Sequence, residues 1–438
     1  MKNTLIKGAL LITMDDDRPD YFRGDILVKN GLVATISESN SDLDRGSAET
    51  TIDARDLIIM PGFVNTHGHA AMTLLRSYAD DMPLQDWLEN KIWPTEERLE
   101  SDDVYWGTML AISEMIKSGT TTFADMYFFM ERVAEAVAES GIRAVLSRGM
   151  IGIGPGGEEA LKNTEQFIAN WHGAENGRIN VTLGPHAPYT CPPEYLIKVM
   201  DLAGKTGRPM QIHLSETKNE VEESINKHSK SPIELVHELG LFNYRVIAAH
   251  CVHLSDRDIE LLAENNVGVA HNPGSNLKLG NGMANITKML DRGINLGIGT
   301  DGASSNNNLD MLEEMRLAAL LSKGTNLDPT LMPAKTAIKL ATRMGAKVLF
   351  LADTGIIKEG YRADLIGLNC NRPHMVPMHD PLAQVVYSAA AADVSLVMVE
   401  GKVLLENGNL TTLDEEKIMA EASQRAIRLT GTGKKNGV

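Results

Sequence analysis

The chain has 438 residues, too many for one small domain and enough for a large barrel or sheet with an accessory domain. Its hydrophobic content of 43% and charged content of 23% are those of a soluble globular protein, and its net charge of −16 disfavours a nucleic-acid or anionic-membrane partner. Three scattered cysteines, Cys191, Cys251 and Cys370, imply neither a disulfide framework nor a thiolate zinc cluster. No apolar run approaches the ~20 residues of a membrane span. The opening MKNTLIKGALLITMDDD carries a lysine inside a short apolar core and reads as a strand rather than a signal peptide. The expectation is a soluble, cytoplasmic protein with no nucleic-acid and no membrane partner.

Taken in order, residues 1–58 read as short strands. Two of them flank Asn30-Gly31, a dipeptide suited to a two-residue hairpin turn. From there the pattern becomes strand, loop, helix, repeated, with short apolar strands at 59–66, 120–125, 143–148, 180–185, 209–214, 245–250, 267–271 and 295–300. Between them, SDDVYWGTMLAISEMIKSG opens on acids and closes on Gly119. TCPPEYLIKVMDLAGKTG places prolines first and glycines last, and SDRDIELLAENN offers a capping box from Ser255 and Asp258. Strands alternating with helices over this length predict an α/β fold, a (β/α)8 TIM-type barrel at 59–349. An open doubly wound sheet is the rival, but no Gly-x-Gly-x-x-Gly turn follows the first strand. After Leu349 the composition returns to a β meander around Glu400-Gly401, followed by a charged helix from Leu413 to Arg428. Residues 1–58 and 350–438 are therefore expected to pair as one small discontinuous β-sandwich domain.

In such a barrel the chemistry sits on the C-terminal ends of the strands. Those ends carry His67 and His69, then Asp125, Arg148, His186, His213, His250, His271 and Asp301. A lone His-x-His is common by chance. On an extended strand, however, alternate residues share a face, so His67 and His69 can address one ion from one rigid element. Of the 12 histidines in the chain, half fall at predicted strand ends, well beyond an even scatter. In QIHLSE, Glu216 stands three residues beyond His213, where a carboxylate can serve as general acid and base beside a metal without ligating it. Its bland alternative is a helix cap before Thr217. Asp301 offers a hard oxygen ligand, or a base for a water whose pKa the cation lowers toward ~7.

With these residues in view, PGFVNTHGH, QIHLSE, AAHCVHLSD, the HNPGSN loop at 271–276 and GTDGASS resemble the amidohydrolase superfamily. Within it they are most similar to the 5'-methylthioadenosine/S-adenosylhomocysteine deaminases. The likeness spans essentially the whole chain, GYRADLIGL included. It implies metal ligands at His67, His69, His213 and Asp301, holding one divalent metal ion, with zinc favoured over iron or manganese. The fourth strand ends in VTLGPHAPYT, without the bridging lysine of two-metal members, so a single ion is expected. The resemblance further implies that Glu216 shuttles a proton to the purine ring, and that His250 and Asp301 orient or deprotonate the attacking water. Glu96 would bind the ribose hydroxyls and His186 the purine. Arg148 would fork onto the carboxylate of S-adenosylhomocysteine, and Trp87 would pack on the thioether. Composition alone would leave Glu96 as solvated charge, because Glu97 and Glu100 crowd the same helix.

The implied reaction is hydrolytic deamination of the adenine ring of a small-molecule nucleoside, releasing ammonia. Two rival readings keep the barrel: another deaminase or a chlorohydrolase acting on guanine, other adenine nucleosides or triazines, and a non-catalytic binding protein. The zinc deaminases of nucleic-acid bases need His-x-Glu and Pro-Cys-x-x-Cys, which this chain lacks. Nothing in the composition decides between a monomer and a homo-oligomer.

Overall fold

The computed structural model describes residues 2–38 and 48–431. Eight parallel strands follow one another in sequence order around a barrel: Phe63–Asn65, Thr120–Tyr127, Arg143–Met150, Ile179–Pro185, Met210–Leu214, Val246–His250, Gly268–His271 and Asn295–Ile298. The last returns to the first through the amide of Thr66 donating to Ile298 O at 2.9 Å and that of Asp301 donating to His67 O at 3.0 Å. Helices cover the outside, so both faces of each strand are buried and the sequence shows apolar runs rather than alternation. Small inward residues (Val64, Ala124, Val145, Ile247 and Ala270) fill the lower interior together with Ala346 and Val348 of the helix Arg343–Val348. The expected helices are present at Ser101–Lys117, Pro193–Thr206 and Asp256–Glu264. The last of these closes its capping box with Ser255 and Asp258 as expected.

The strand expected at 59–66 is two strands. Leu57–Pro61 belongs to a second sheet, pairing with Thr4–Leu11 on one side and Leu365–Asn369 on the other. Only Phe63–Asn65 enters the barrel. The change of partner falls at Gly62, where a Cβ would lie 2.1 Å from the side chain of Thr121, so the crossing requires a residue without one.

The second sheet has nine strands drawn from both ends of the chain. It bends around its own core of Ile6, Leu11, Ile26, Val33, Leu365 and Met398. The two faces of the expected sandwich are parts of this one continuous sheet. Two of its hairpin turns, Asn30-Gly31 and Glu400-Gly401, have positive φ at both positions, as type I′ turns require. They meet across Ala363, whose amide donates to Gly31 O while its carbonyl accepts from Gly401 N. No helix among the described residues is long and apolar enough to cross a membrane.

A buried ion pair joins sheet to barrel. Arg143, at the foot of the third barrel strand, donates from Nε to Asp364 Oδ2 at 2.7 Å and from its Nη2 to Oδ1 at 3.2 Å, both side chains 2% exposed. Asp364 Oδ1 also accepts from the amide of Glu400. Removing one partner of such a pair leaves a buried charge without compensation. Arg143→Leu is therefore expected to cost about 3–5 kcal/mol of unfolding free energy, measured as a lowered denaturant midpoint. The double variant with Asp364→Leu should recover part of the loss. A single variant as stable as the parent would show that the joint does not depend on this pair.

Candidate active site

At the mouth of the barrel the chain ends several strands in the left-handed region, with Ser215, His250 and Asp301 at φ of 52°, 70° and 59°. Non-glycine residues rarely adopt it, and they do so where surrounding contacts demand it. Asn65 supplies one such contact by clamping the first strand end to the last. Its Nδ2 donates to Thr300 Oγ1 at 2.7 Å and its Oδ1 accepts from Thr300 N at 3.0 Å. His67 and Asp301 thereby face each other across the closing seam.

Five of the predicted residues converge. Asp301 Oδ1 lies 3.4 Å from His67 Nε2 and 3.2 Å from His69 Nε2. One nitrogen from each of His67, His69 and His213 form a group within 4.8 Å of one another, and so do His67, His250 and Asp301. The imidazoles are oriented from behind. His69 Nδ1–H donates to Met126 O at 2.6 Å, His213 Nδ1–H to His186 O at 2.8 Å and His250 Nδ1–H to Asn276 Oδ1 at 2.9 Å. Each leaves Nε2 as a bare acceptor toward the centre. Gln211 Nε2 lies 3.1 Å from His67 Nδ1, behind that ring. Asp301 Oδ2 is occupied by the hydroxyls of Ser275 (2.6 Å) and Ser305 (2.8 Å), whereas Oδ1 is buried without a partner, as is His67 Nε2. Buried polar atoms seldom go unpartnered, and nitrogen donors with one carboxylate oxygen suit a divalent cation. The donor set fits a metal.

The electrostatics agree. Burial lowers the pKa of His67 to about 4. Burial also opposes protonation of His69, but the Asp301 carboxylate 3.2 Å away outweighs this and holds it at about 9. Buried Asp301 thus requires a positive charge beside it, either a proton on His69 or a metal cation in its place. Glu216 is buried next to this cluster, and burial raises its pKa. Its Oε1 accepts from Asn281 Nδ2 at 2.9 Å, and its Oε2 lies 3.8 Å from His250 Nε2. Glu220 accepts the amides of Ser215 (3.0 Å) and Glu216 (2.7 Å), so this fully enclosed carboxylate fixes the turn that presents Glu216.

A pocket opens over the cluster, roofed by the broken helical stretch Leu84–Glu96 with its π turn at Leu88–Ile92. Trp87, Glu96 and His186 line it, together with His213, Glu216, His250 and Asp301. Glu96 Oε1 accepts the hydroxyl proton of Tyr127 at 2.7 Å, and its pKa is raised by burial. It is not the solvated charge that composition suggests. Trp87 is 4% exposed, and its indole N–H is buried without a partner. His186 turns Nδ1 onto Thr190 Oγ1 at 2.8 Å.

Three strand-end residues stand elsewhere. Arg148 does not line the pocket; its guanidinium pairs with Glu131 at 2.7 Å. Ser147 and Gly149 take the inward positions of that strand, and a period of two turns Arg148 outward. His271 likewise follows inward-facing Ala270 and points to the helix layer. Asp125 accepts the amide of Ala70 at 2.8 Å and so braces the turn after His69.

Tyr127, Asn281, Glu220 and Asn276 went unnoticed in the sequence. Asn276 belongs to HNPGSN, and Glu220 stands three residues after Thr217, a spacing that suggests only a capping box. Nothing marked Tyr127 or Asn281.

Residues 58–404 match the amidohydrolase family. The chain belongs to the amidohydrolase family. This amidohydrolase is 52% identical to a 5-methylthioadenosine/S-adenosylhomocysteine deaminase of Pelotomaculum thermopropionicum, over 98% of this chain and 99% of that one. Among solved structures it resembles an adenosine deaminase from Xanthomonas campestris with bound zinc, at 33% identity and a TM-score of 0.94, covering 98% and 99% of the two chains. It also resembles an atrazine chlorohydrolase from Arthrobacter aurescens complexed with zinc, at 26% identity and a TM-score of 0.90, covering 97% and 100%. This amidohydrolase is an enzyme of the hydrolytic deaminase kind, with a divalent-metal site.

Behind the Asp301 hydroxyls lies Glu314, whose Oε2 accepts Gly274 N at 2.9 Å and whose Oε1 accepts Asn306 Nδ2 at 2.8 Å. Burial raises its pKa from 4.5 to about 8. Because the folded value lies above the unfolded one, the stabilisation is full below pH 4.5 and is lost as pH rises to about 8. Glu314→Gln should therefore lose less thermal stability than the parent across that window. Melting curves of parent and variant that stay parallel would refute the assignment.

Proposed function

We propose that this amidohydrolase hydrolytically deaminates the adenine ring of 5'-methylthioadenosine and S-adenosylhomocysteine, yielding the inosine analogues and ammonia. The observation that carries the reading is the pairing, over one pocket, of the metal-ligand cluster and Glu216 with Glu96 on the roof, suited to a nucleoside's base and ribose respectively. The relative from Pelotomaculum thermopropionicum bears that name, and the likeness extends over both full chains.

His67, His69, His213 and Asp301 would hold one zinc ion, the cation bound in the related Xanthomonas campestris structure. When bound, zinc supplies Lewis acidity and brings the pKa of a water molecule toward neutrality. His250 takes up a proton from the attacking water at Nε2, the nitrogen left free by its Nδ1–H bond to Asn276, and Asp301 orients that water. The C6–O bond forms as Glu216 delivers a proton to the adjacent ring nitrogen. Burial holds the Glu216 carboxyl above its ordinary pKa, so it can keep that proton until it is needed. Asn281 fixes one of its oxygens and leaves the other to reach the base. The tetrahedral adduct then breaks its C6–N bond: ammonia leaves with the proton returned from His250, and the C6 hydroxyl gives its proton to Glu216 as the carbonyl of the inosine ring forms.

Glu96 accepts from the ribose hydroxyls, held by Tyr127, and His186 contacts the purine from the other side. Trp87 packs against the thioether. To receive the carboxylate of S-adenosylhomocysteine, Arg148 would have to leave Glu131, which is 42% exposed, and swing from the helix side to the pocket mouth.

Purified enzyme incubated with either nucleoside should change the purine absorbance and release ammonia. Failure of the zinc-replete enzyme to turn over any adenine nucleoside would overturn the substrate assignment, and turnover of guanine or a triazine would replace it. Glu216→Gln is expected to lower kcat by about 10²–10⁴-fold with its metal content unchanged. Chelation should abolish turnover and added zinc restore it, while Asp301→Asn should lose metal in elemental analysis. Arg148→Met should raise KM for S-adenosylhomocysteine far more than for 5'-methylthioadenosine. An equal effect on both would leave Arg148 as the partner of Glu131 alone.

A further inference from the structure

His253 is the second histidine of AAHCVHLSD, and the reaction as drawn above leaves it without a task. It stands just past the barrel strand Val246–His250, half-buried beside Gly282. Its main chain and its ring hold two different parts of the site. The His253 amide donates to Ser215 O at 3.0 Å, and the Val252 amide donates to the same oxygen at 3.0 Å. Ser215 precedes Glu216 at a φ of 52°, so this carbonyl belongs to the strained turn that presents the carboxylate. The ring Nε2–H of His253 donates to the main-chain oxygen of Asn281 at 2.6 Å. The side chain of the same Asn281 donates from Nδ2 to Glu216 Oε1 at 2.9 Å. The circuit is closed: it runs from the turn through His253 to Asn281 and back to the carboxylate.

Asn281 depends on that tie. It lies between Gly280 and Gly282, at φ of 68° and 109°, in a stretch without helix or strand ahead of the helix Ile286–Asp291. Glycine allows such bends but restrains the backbone less than any other residue. The Asn281 amide is fixed on Asn276 O at 2.8 Å, and its carbonyl is fixed by the His253 ring. Asn276 itself orients His250 through Oδ1 at 2.9 Å. One short segment therefore aligns both groups assigned to move protons, and His253 sets where its far end lies. A shift of about 1 Å at Asn281 would release the carboxylate from the base, an error that costs rate rather than affinity.

We propose that His253 is a positioning residue for Glu216, fixing its carboxylate, through Asn281, against the turn that carries it. This role rests on Glu216 as the proton carrier of the proposed reaction.

His253→Phe keeps the amide and the bulk of the ring and removes the donor to Asn281. It is expected to lower kcat by about 10–100-fold, with KM within about twofold of the parent and metal content unchanged. In His253→Gln the side-chain amide can take the place of Nε2–H, and kcat should return to within about threefold of the parent. Asn281→Ala should lose a similar factor, and the double variant with His253→Phe little more, because both act on one carboxylate. Amide hydrogen exchange in the resting protein needs no turnover. Over residues 279–285 it should quicken in His253→Phe and keep the parent's rate in His253→Gln. Parental kcat in His253→Phe, a loss that His253→Gln does not restore, additive losses in the double variant, or unaltered exchange would each overturn the assignment. A parent that turns over no adenine nucleoside would sink the proposed function instead, and the exchange measurement would still decide the tie to Asn281. Should His253→Phe not fold, His253→Asn, whose shorter amide cannot reach Asn281 O, is read in its place.

Discussion

A carboxylate buried among imidazoles at the mouth of a closed barrel sets the terms for everything around it. Asp301 cannot stay ionised there without a positive charge in contact, and the imidazoles near it cannot all protonate without repelling one another. The surroundings resolve this by being almost wholly neutral and strongly directional. Serine hydroxyls take one oxygen of Asp301, carbonyls and amides take the rear nitrogens of the rings, and one acceptor from each residue is left facing the same point. The strained φ values at the strand ends are the geometric cost of that convergence, and Asn65 and Glu220 hold the backbone in place.

Much of this was legible in the chain. Strands covered on both faces must be apolar throughout, so their positions emerge from the sequence, and the residue that follows each run is a barrel-mouth residue by topology. His67, His69, His213, His250 and Asp301 were found in that way. Which face a strand-end residue takes was less legible. Arg148 and His271 occupy mouth positions in sequence, but strand alternation directs them into the helix layer. A shift of one residue in register is invisible in an apolar run, because both parities are equally hydrophobic.

The roof and the supporting carboxylates were hidden for another reason. Glu96, Glu97 and Glu100 are one charge cluster in sequence, and only the irregular helical stretch that carries them decides which one turns inward. Glu220 satisfies the spacing of an ordinary helix cap, yet it reaches back past Thr217 to the amides of Ser215 and Glu216. Local pattern names the helix end and is silent about what the cap holds. Tyr127 sits at the close of an apolar strand, where an aromatic residue needs no special explanation; its hydroxyl bond to Glu96 exists only because the roof folds over it.

The crossing at Gly62 makes the two sheets mechanically one body. The same backbone that pairs within the accessory sheet at Pro61 pairs within the barrel at Phe63, with no linker between, and the salt bridge from Arg143 of the third barrel strand to Asp364 ties the two sheets a second time. A torque on the accessory sheet is therefore transmitted along a short, stiff segment directly to His67. That sheet works as the foundation that sets the azimuth of the first barrel strand. Compliance for admitting and releasing a ligand is left to segments such as the broken roof at Leu84–Glu96, a part of the pocket wall that neither sheet holds.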